Sequence, residues 1–203
     1  MIVRVMGMIL LLNLVGCATT PPNNVNDICS IFRQKKGWYD AAADSRDEWG
    51  SPIAVMMGMM HQESTFQAKA KPPRKKIFGL IPGPRPSNAY GYSQALDSTW
   101  KNYKRGAGRY GADRDNFKDA IDFIGWYNDQ SSRRSKISKS DAYNLYLAYH
   151  EGQGGFNRGT YRSKKWLVKV ARKVQSQSKR YQSQLSGCEK SLKKKRGIFG
   201  IFG

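Results

Sequence analysis

The chain has 203 residues, 25% of them charged, and a formal net charge of +20. That length suits one domain with its own core, and that charge selects anionic partners. Two histidines and three cysteines are too few for a dense metal-binding module, and no solenoid-type repeat runs through the chain.

At the N-terminus Arg4 precedes an apolar run from Val5 to Val15, and Gly16 stands before Cys17. This is the tripartite pattern of an export signal, and the run is short for a mature membrane span. The "LVGC" stretch resembles the lipobox of bacterial lipoproteins. The resemblance implies a signal peptide over 1–16, a lipidated Cys17 and a polar tether over 17–26. It implies lipid anchoring in the bacterial envelope, on the periplasmic side of the outer membrane. An uncleaved anchor and a plain secretory signal are the alternatives. An exported chain meets little nucleic acid, so anionic envelope polymers and lipid headgroups are the expected partners. Cys29 and Cys188 remain near the two ends of the folded region. An even count in an oxidising compartment points to one disulfide, with two free buried thiols as the other reading.

The spacing of Ile28, Ile31, Phe32, Trp38, Tyr39, Ala42 and Trp49 predicts a helix over about 27–49, with Gly37 a candidate break. Ser51-Pro52 reads as a cap and first turn for the next helix, which carries Ile53, Met56, Met57 and Met60 on one stripe. Residues 67–90 differ in kind. They hold five of the eight prolines among basic residues and read as an insertion, either a flap over a cleft or a solvated excursion. Further helices are expected with Asp97 and Asp113 as caps. A third spans "KSDAYNLYLAYHEG", with Ala142, Leu145, Tyr146 and Tyr149 on one face and Gly152 as stop. The last runs over about 163–186, with Trp166, Val170, Val174, Tyr181 and Leu185 as its stripe. Strand alternation is nearly absent, so the fold class is mainly α in a single domain over 27–188. The segment 189–203 follows as a basic and apolar tail, read as a membrane-docking element or as solvated chain.

The two histidines each stand near a glutamate, in "HQES" and "YHEG". His61-Gln62-Glu63 matches the H-x-E of zinc deaminases but lacks the later P-C-x-x-C, and no H-E-x-x-H spacing occurs, so no metal site is expected. Residues two apart on a helix point about 200° apart, which separates His61 from Glu63. Met56 and Glu63 are seven apart and project within about 20° of each other. Glu63 therefore continues the apolar stripe as a carboxyl of raised pKa, suited to general acid work, or stands exposed on a frayed helix end.

"ESTFQAKA" resembles the E-S-x-F-x-x-x-A stretch of lytic transglycosylases with a soluble-transglycosylase (SLT), lysozyme-like domain. "YGYSQALDSTW" resembles that family's G-L-M-Q-x-x-x-x-T stretch, aligning Gly91, Gln94 and Thr99. "YLAYHEGQGGF" resembles its A-Y-N-A-G-x-G stretch, aligning Ala148, Tyr149, Gly152 and Gly154. The resemblance covers about 51–155. It implies a lysozyme-like fold and cleavage of the β-1,4 bond between N-acetylmuramic acid and N-acetylglucosamine in peptidoglycan, leaving 1,6-anhydro ends, with no cofactor. Glu63 would be the single acid/base, and Ser64, Gln94, Tyr149 and His150 would contact substrate. The enzyme is expected to be a monomer. Tyr92-Ser93 and His150-Glu151 depart from the family pattern. They suggest a more polar cleft wall and leave two alternatives: a non-catalytic protein binding peptidoglycan or a secretion apparatus, and a lysozyme-type hydrolase using a second carboxylate such as Glu151.

Overall fold

The computed structural model describes residues 20–74, 76–77 and 80–199. The export signal and Cys17 lie outside the described residues, as do Lys75, Phe78 and Gly79 of the insertion and the last four residues of the tail. The described chain is mainly α, as its patterning predicts.

The first predicted helix is two. α1 (Ile28–Gln34) starts at Asp27, whose carboxylate accepts from the Ser30 amide at 3.0 Å. α2 (Trp38–Trp49) starts after Gly37, whose φ of 79° is left-handed and ends helical continuity there. α3 (Ile53–Ser64) then passes through the middle of the molecule. Every residue from Ile53 to Met60 is buried, so the expected stripe is a helix enclosed on all sides, in contact with α2, α5, α6 and α7. Four of those eight are methionines, flexible enough to fill an irregular interior. At Gly58 the neighbouring helix comes so close that a Cβ would stand 2.2 Å from Ser178 Oγ.

Three caps differ from expectation. The Ser51 hydroxyl does not cap α3; it accepts from Asn128 Nδ2 at 2.9 Å, both residues being fully buried. α4 (Asp97–Gly106) begins with Asp97 already inside the first turn, and its amide donates to Asn88 Oδ1 at 3.2 Å. Asp97 instead pairs with Arg114 at 2.6 Å. α5 (Phe117–Ser135) is capped by Asn116, which accepts from Lys118 and Asp119 amides, whereas the Asp113 amide donates to Asp119. In each case a short polar side chain has a choice of partners, local backbone or distant side chain, and sequence alone does not rank them.

Between α3 and α4 the insertion forms a two-stranded antiparallel ribbon, β1 (Lys76–Ile77) against β2 (Ile81–Pro82), with Leu80 exposed. α6 (Ala142–Asn157) does not stop at Gly152. The chain turns there, at φ 71° and ψ 155°, and resumes a helical course to Asn157. A 3₁₀ turn (Thr160–Ser163) leads into α7 (Lys165–Phe199), a helix of 35 residues. Its buried stripe is Leu167, Ala171, Val174, Ser178, Tyr181, Leu185 and Leu192, at intervals of three and four and then seven. Trp166, expected on that stripe, is 55% exposed because it stands one position off it. The helix continues without interruption through Cys188, so the segment expected as a tail is helical to Phe199.

Cys29 and Cys188 form a disulfide, Cα to Cα 6.1 Å, across 159 positions. It ties α1 to α7. Closing so long a loop removes denatured-state entropy worth about 4–5 kcal/mol. Nearby, Gln184 accepts from the Ile28 amide and donates to the Asn26 carbonyl, both at 3.1 Å, and Glu189 takes Arg46 at 3.0 Å.

Candidate active site

A cleft of about 420 Å³ opens between the end of α3, the loop before α4, α5 and α6. Glu63 reaches it from the last turn of α3. That helix end is held: Thr65 and Phe66 both adopt positive φ, 51° and 59°, and Phe66 is fully buried against Trp38 and His61. Two successive left-handed residues without glycine are costly and persist only where packing dictates them. The frayed-end reading is thereby removed.

Glu63 is half-buried beside an aromatic floor of Phe123, Tyr127 and Tyr149. Burial pushes its carboxyl up to about 7, against a partial lowering by the Tyr146 hydroxyl, which donates toward it. The tyrosine hydroxyls are held in their neutral, donating form, Tyr146 and Tyr149 both being raised chiefly by burial and then by the charge of Glu63. Tyr149 lines the cleft, but its hydroxyl donates to the Ser93 carbonyl at 2.6 Å. The tyrosine hydroxyl that lowers Glu63 is that of Tyr146, one turn earlier on the same helix face. Sequence reading places Tyr146 in the core; its i, i+3 relation to Tyr149 was the available signal.

Gln94 and Thr99 line the opposite wall. Gln94 sits at φ 51° and its Nε2 donates to the Ala70 and Gly91 carbonyls, both at 2.9 Å, so its amide also locks the turn that presents it. Gly91 is required there twice over. Its φ is 78°, and a Cβ would lie 2.1 Å from the Arg114 carbonyl oxygen. Pro72 and Ala89, at the two ends of the insertion, complete the rim.

Several expected placements differ. Ser64 is turned inward, its hydroxyl donating to the Met60 carbonyl at 3.4 Å, and does not line the cleft. Tyr92 is buried against Trp38 and Phe117 rather than forming a polar cleft wall, and the Ser93 side chain is fully buried. The turn from Gly91 to Gln94, with positive φ at both ends, divides these side chains, sending Tyr92 and Ser93 inward and Gln94 into the cleft. His61 faces Phe66 and Tyr181, away from the cleft, and burial lowers its pKa.

His150 lines the cleft and contacts Glu151 at 3.1 Å. The Glu151 carboxylate is only 3% exposed and takes Lys164 at 2.7 Å and the Thr160 hydroxyl. Those hydrogen bonds, Lys164 first, hold it at about 2. Its lone pairs are committed to structure.

Comparison with curated proteins and with solved structures found no match to this chain. The transglycosylase SLT domain family matches residues 5–188, which extends the likeness seen over 51–155 in both directions. The chain therefore belongs to the transglycosylase SLT domain family, with the family's lysozyme-like fold and its general lytic transglycosylase-type function.

Proposed function

We propose that the protein cleaves the β-1,4 bond between N-acetylmuramic acid and N-acetylglucosamine in peptidoglycan without water, with Glu63 as the single acid/base. The observation carrying this is Glu63 itself: among the residues lining the cleft it is the one carboxyl, and its pKa stands at about 7. Near neutrality a large fraction of it is protonated and able to donate. As the anomeric C1–O4 bond breaks, the Glu63 proton goes to O4 of the leaving sugar. The carboxylate then takes the proton from the muramic acid 6-hydroxyl as O6 bonds to C1. Glu63 ends protonated as it began, and the product carries a 1,6-anhydro bridge. Tyr146 steadies the carboxylate between the two transfers, and the aromatic floor keeps solvent from competing with O6.

A hydrolytic route requires a second carboxylate or an activated water across the sugar. Glu151 is engaged by Lys164 and Thr160 and supplies no free oxygen, which favours the anhydro product. Lipidation at Cys17 would hold the enzyme at the envelope membrane, where its substrate lies.

The test is digestion of purified sacculi followed by mass measurement of the released fragments. Anhydro products are one water lighter than hydrolytic ones. Products heavier by that water would establish a hydrolase, and no release would establish a binding protein on this fold.

A further inference from the structure

Trp166 is the largest of the exposed apolar side chains among the described residues, 55% exposed in the first turn of α7. Its ring meets His150 edge-on, centroids 5.1 Å apart, and His150 lines the cleft that holds Glu63. The cleft wall thus runs from Glu63 through Tyr149 to His150, and the contact of the His150 ring carries it on to Trp166. Beside the tryptophan lies a second groove of about 510 Å³, lined by Arg162, Lys165, Val168, Lys169 and Arg172. Lys169 is three positions from Trp166 and so adjoins it on the helix surface. Among the described residues none of these four cations has an acidic partner, whereas Lys164 beside them is paired with Glu151. Four unpaired cations converging on one groove cost mutual repulsion, which an anionic ligand relieves.

We propose that Trp166 and the Arg162–Arg172 groove form an extension of the cleft that binds peptide-bearing glycan, the indole stacking on a sugar ring and the cations taking stem-peptide carboxylates. The proposal rests on the reading of the cleft as a glycan site. A sugar presents an apolar face of C–H groups to an aromatic ring, and a carboxylate on the same strand gives the neighbouring cations their partner. The enzyme would then favour strands that still carry peptides over stripped ones.

The experiment uses the full chain carrying Glu63→Gln, so that binding is read without turnover. Its probes are soluble glycan fragments with intact stem peptides and the same fragments stripped by an amidase, titrated calorimetrically at low salt. Lys165→Gln with Lys169→Gln is expected to weaken peptide-bearing fragments about tenfold and leave stripped fragments unchanged. Trp166→Ala is expected to weaken both about fivefold, and Trp166→Phe to recover part of that loss. Dissociation constants within twofold of the parent in all these variants would overturn the proposal. So would an equal loss from Lys101→Gln with Arg105→Gln, two exposed cations of α4 remote in sequence, since that marks generic charge attraction. A Glu63→Gln chain that still releases anhydro fragments would instead overturn the acid/base assignment and leave this proposal standing.

Discussion

The two histidine–glutamate pairs of this chain look alike in sequence and are opposites in structure. Glu63 has a tyrosine hydroxyl, an aromatic floor and, among the described residues, no cation paired with it, and burial lifts it to about 7. Glu151 has Lys164, Thr160 and His150, and sits at about 2. Their helical settings differ as well: Glu63 sits in the last turn of a helix whose first eight residues are all enclosed, and Glu151 stands one residue before a glycine kink. A carboxyl becomes a proton donor at neutral pH by being deprived of partners. It becomes a structural staple by being given them.

The strongest way to break this contrast is Glu63→Gln, expected to lower fragment release from sacculi about a thousandfold or more. In the parent enzyme the rate should fall as pH rises through about 7, because the protonated acid is consumed. The same shift has a stability sign. A carboxyl raised in the folded state favours folding below its unfolded pKa and loses that contribution as pH rises through about 7. Thermal melts of Glu63→Gln should therefore exceed the parent at pH 8 and approach it at pH 4.

Tyr146→Phe comes next. Removing the hydroxyl that lowers Glu63 should carry the alkaline limb of the pH–rate profile upward, with a rate loss of about tenfold. An unmoved limb would deny Tyr146 its positioning role. Glu151→Gln should act on melting rather than chemistry. Its depressed pKa contributes stability above the unfolded carboxylate range, and that contribution is lost as pH falls toward about 2. The melting temperature should drop by a few degrees at pH 7 and the difference close in acid, while release stays within about tenfold of the parent. A loss matching that of Glu63→Gln would make Glu151 a second catalytic carboxyl. His61→Phe should change least, since that ring already packs among aromatics.

What the sequence discloses follows from what is periodic. The helices and the break at Gly37 rest on spacing, and the pairing of Cys29 with Cys188 on an even count of two near the ends of the folded region, both legible in one dimension. Glu63 reaches the cleft because the seven-residue relation to Met56 is a property of the helix itself. Caps and inward turns are another matter. Ser51 prefers Asn128, 77 positions away, to its own helix, and Ser64 folds back on Met60. Tyr92 and Gln94 divide between core and cleft according to a turn that Gly91 and Arg114 define together. Trp166 stands off the core stripe because its neighbour Leu167 takes the position that opens it, and either residue fits the apolar pattern.

The enclosure of α3 sets how the acid behaves in time. Amides from Met56 to Met60 lie in a helix wrapped by four others, with no solvent face from which it can open alone. Their hydrogen exchange should follow the slowest cooperative opening of the whole domain, while the insertion ribbon exchanges freely. Glu63 thereby inherits the lifetime of the native state, and the loops around it can vary to suit different glycan strands without disturbing the proton they receive.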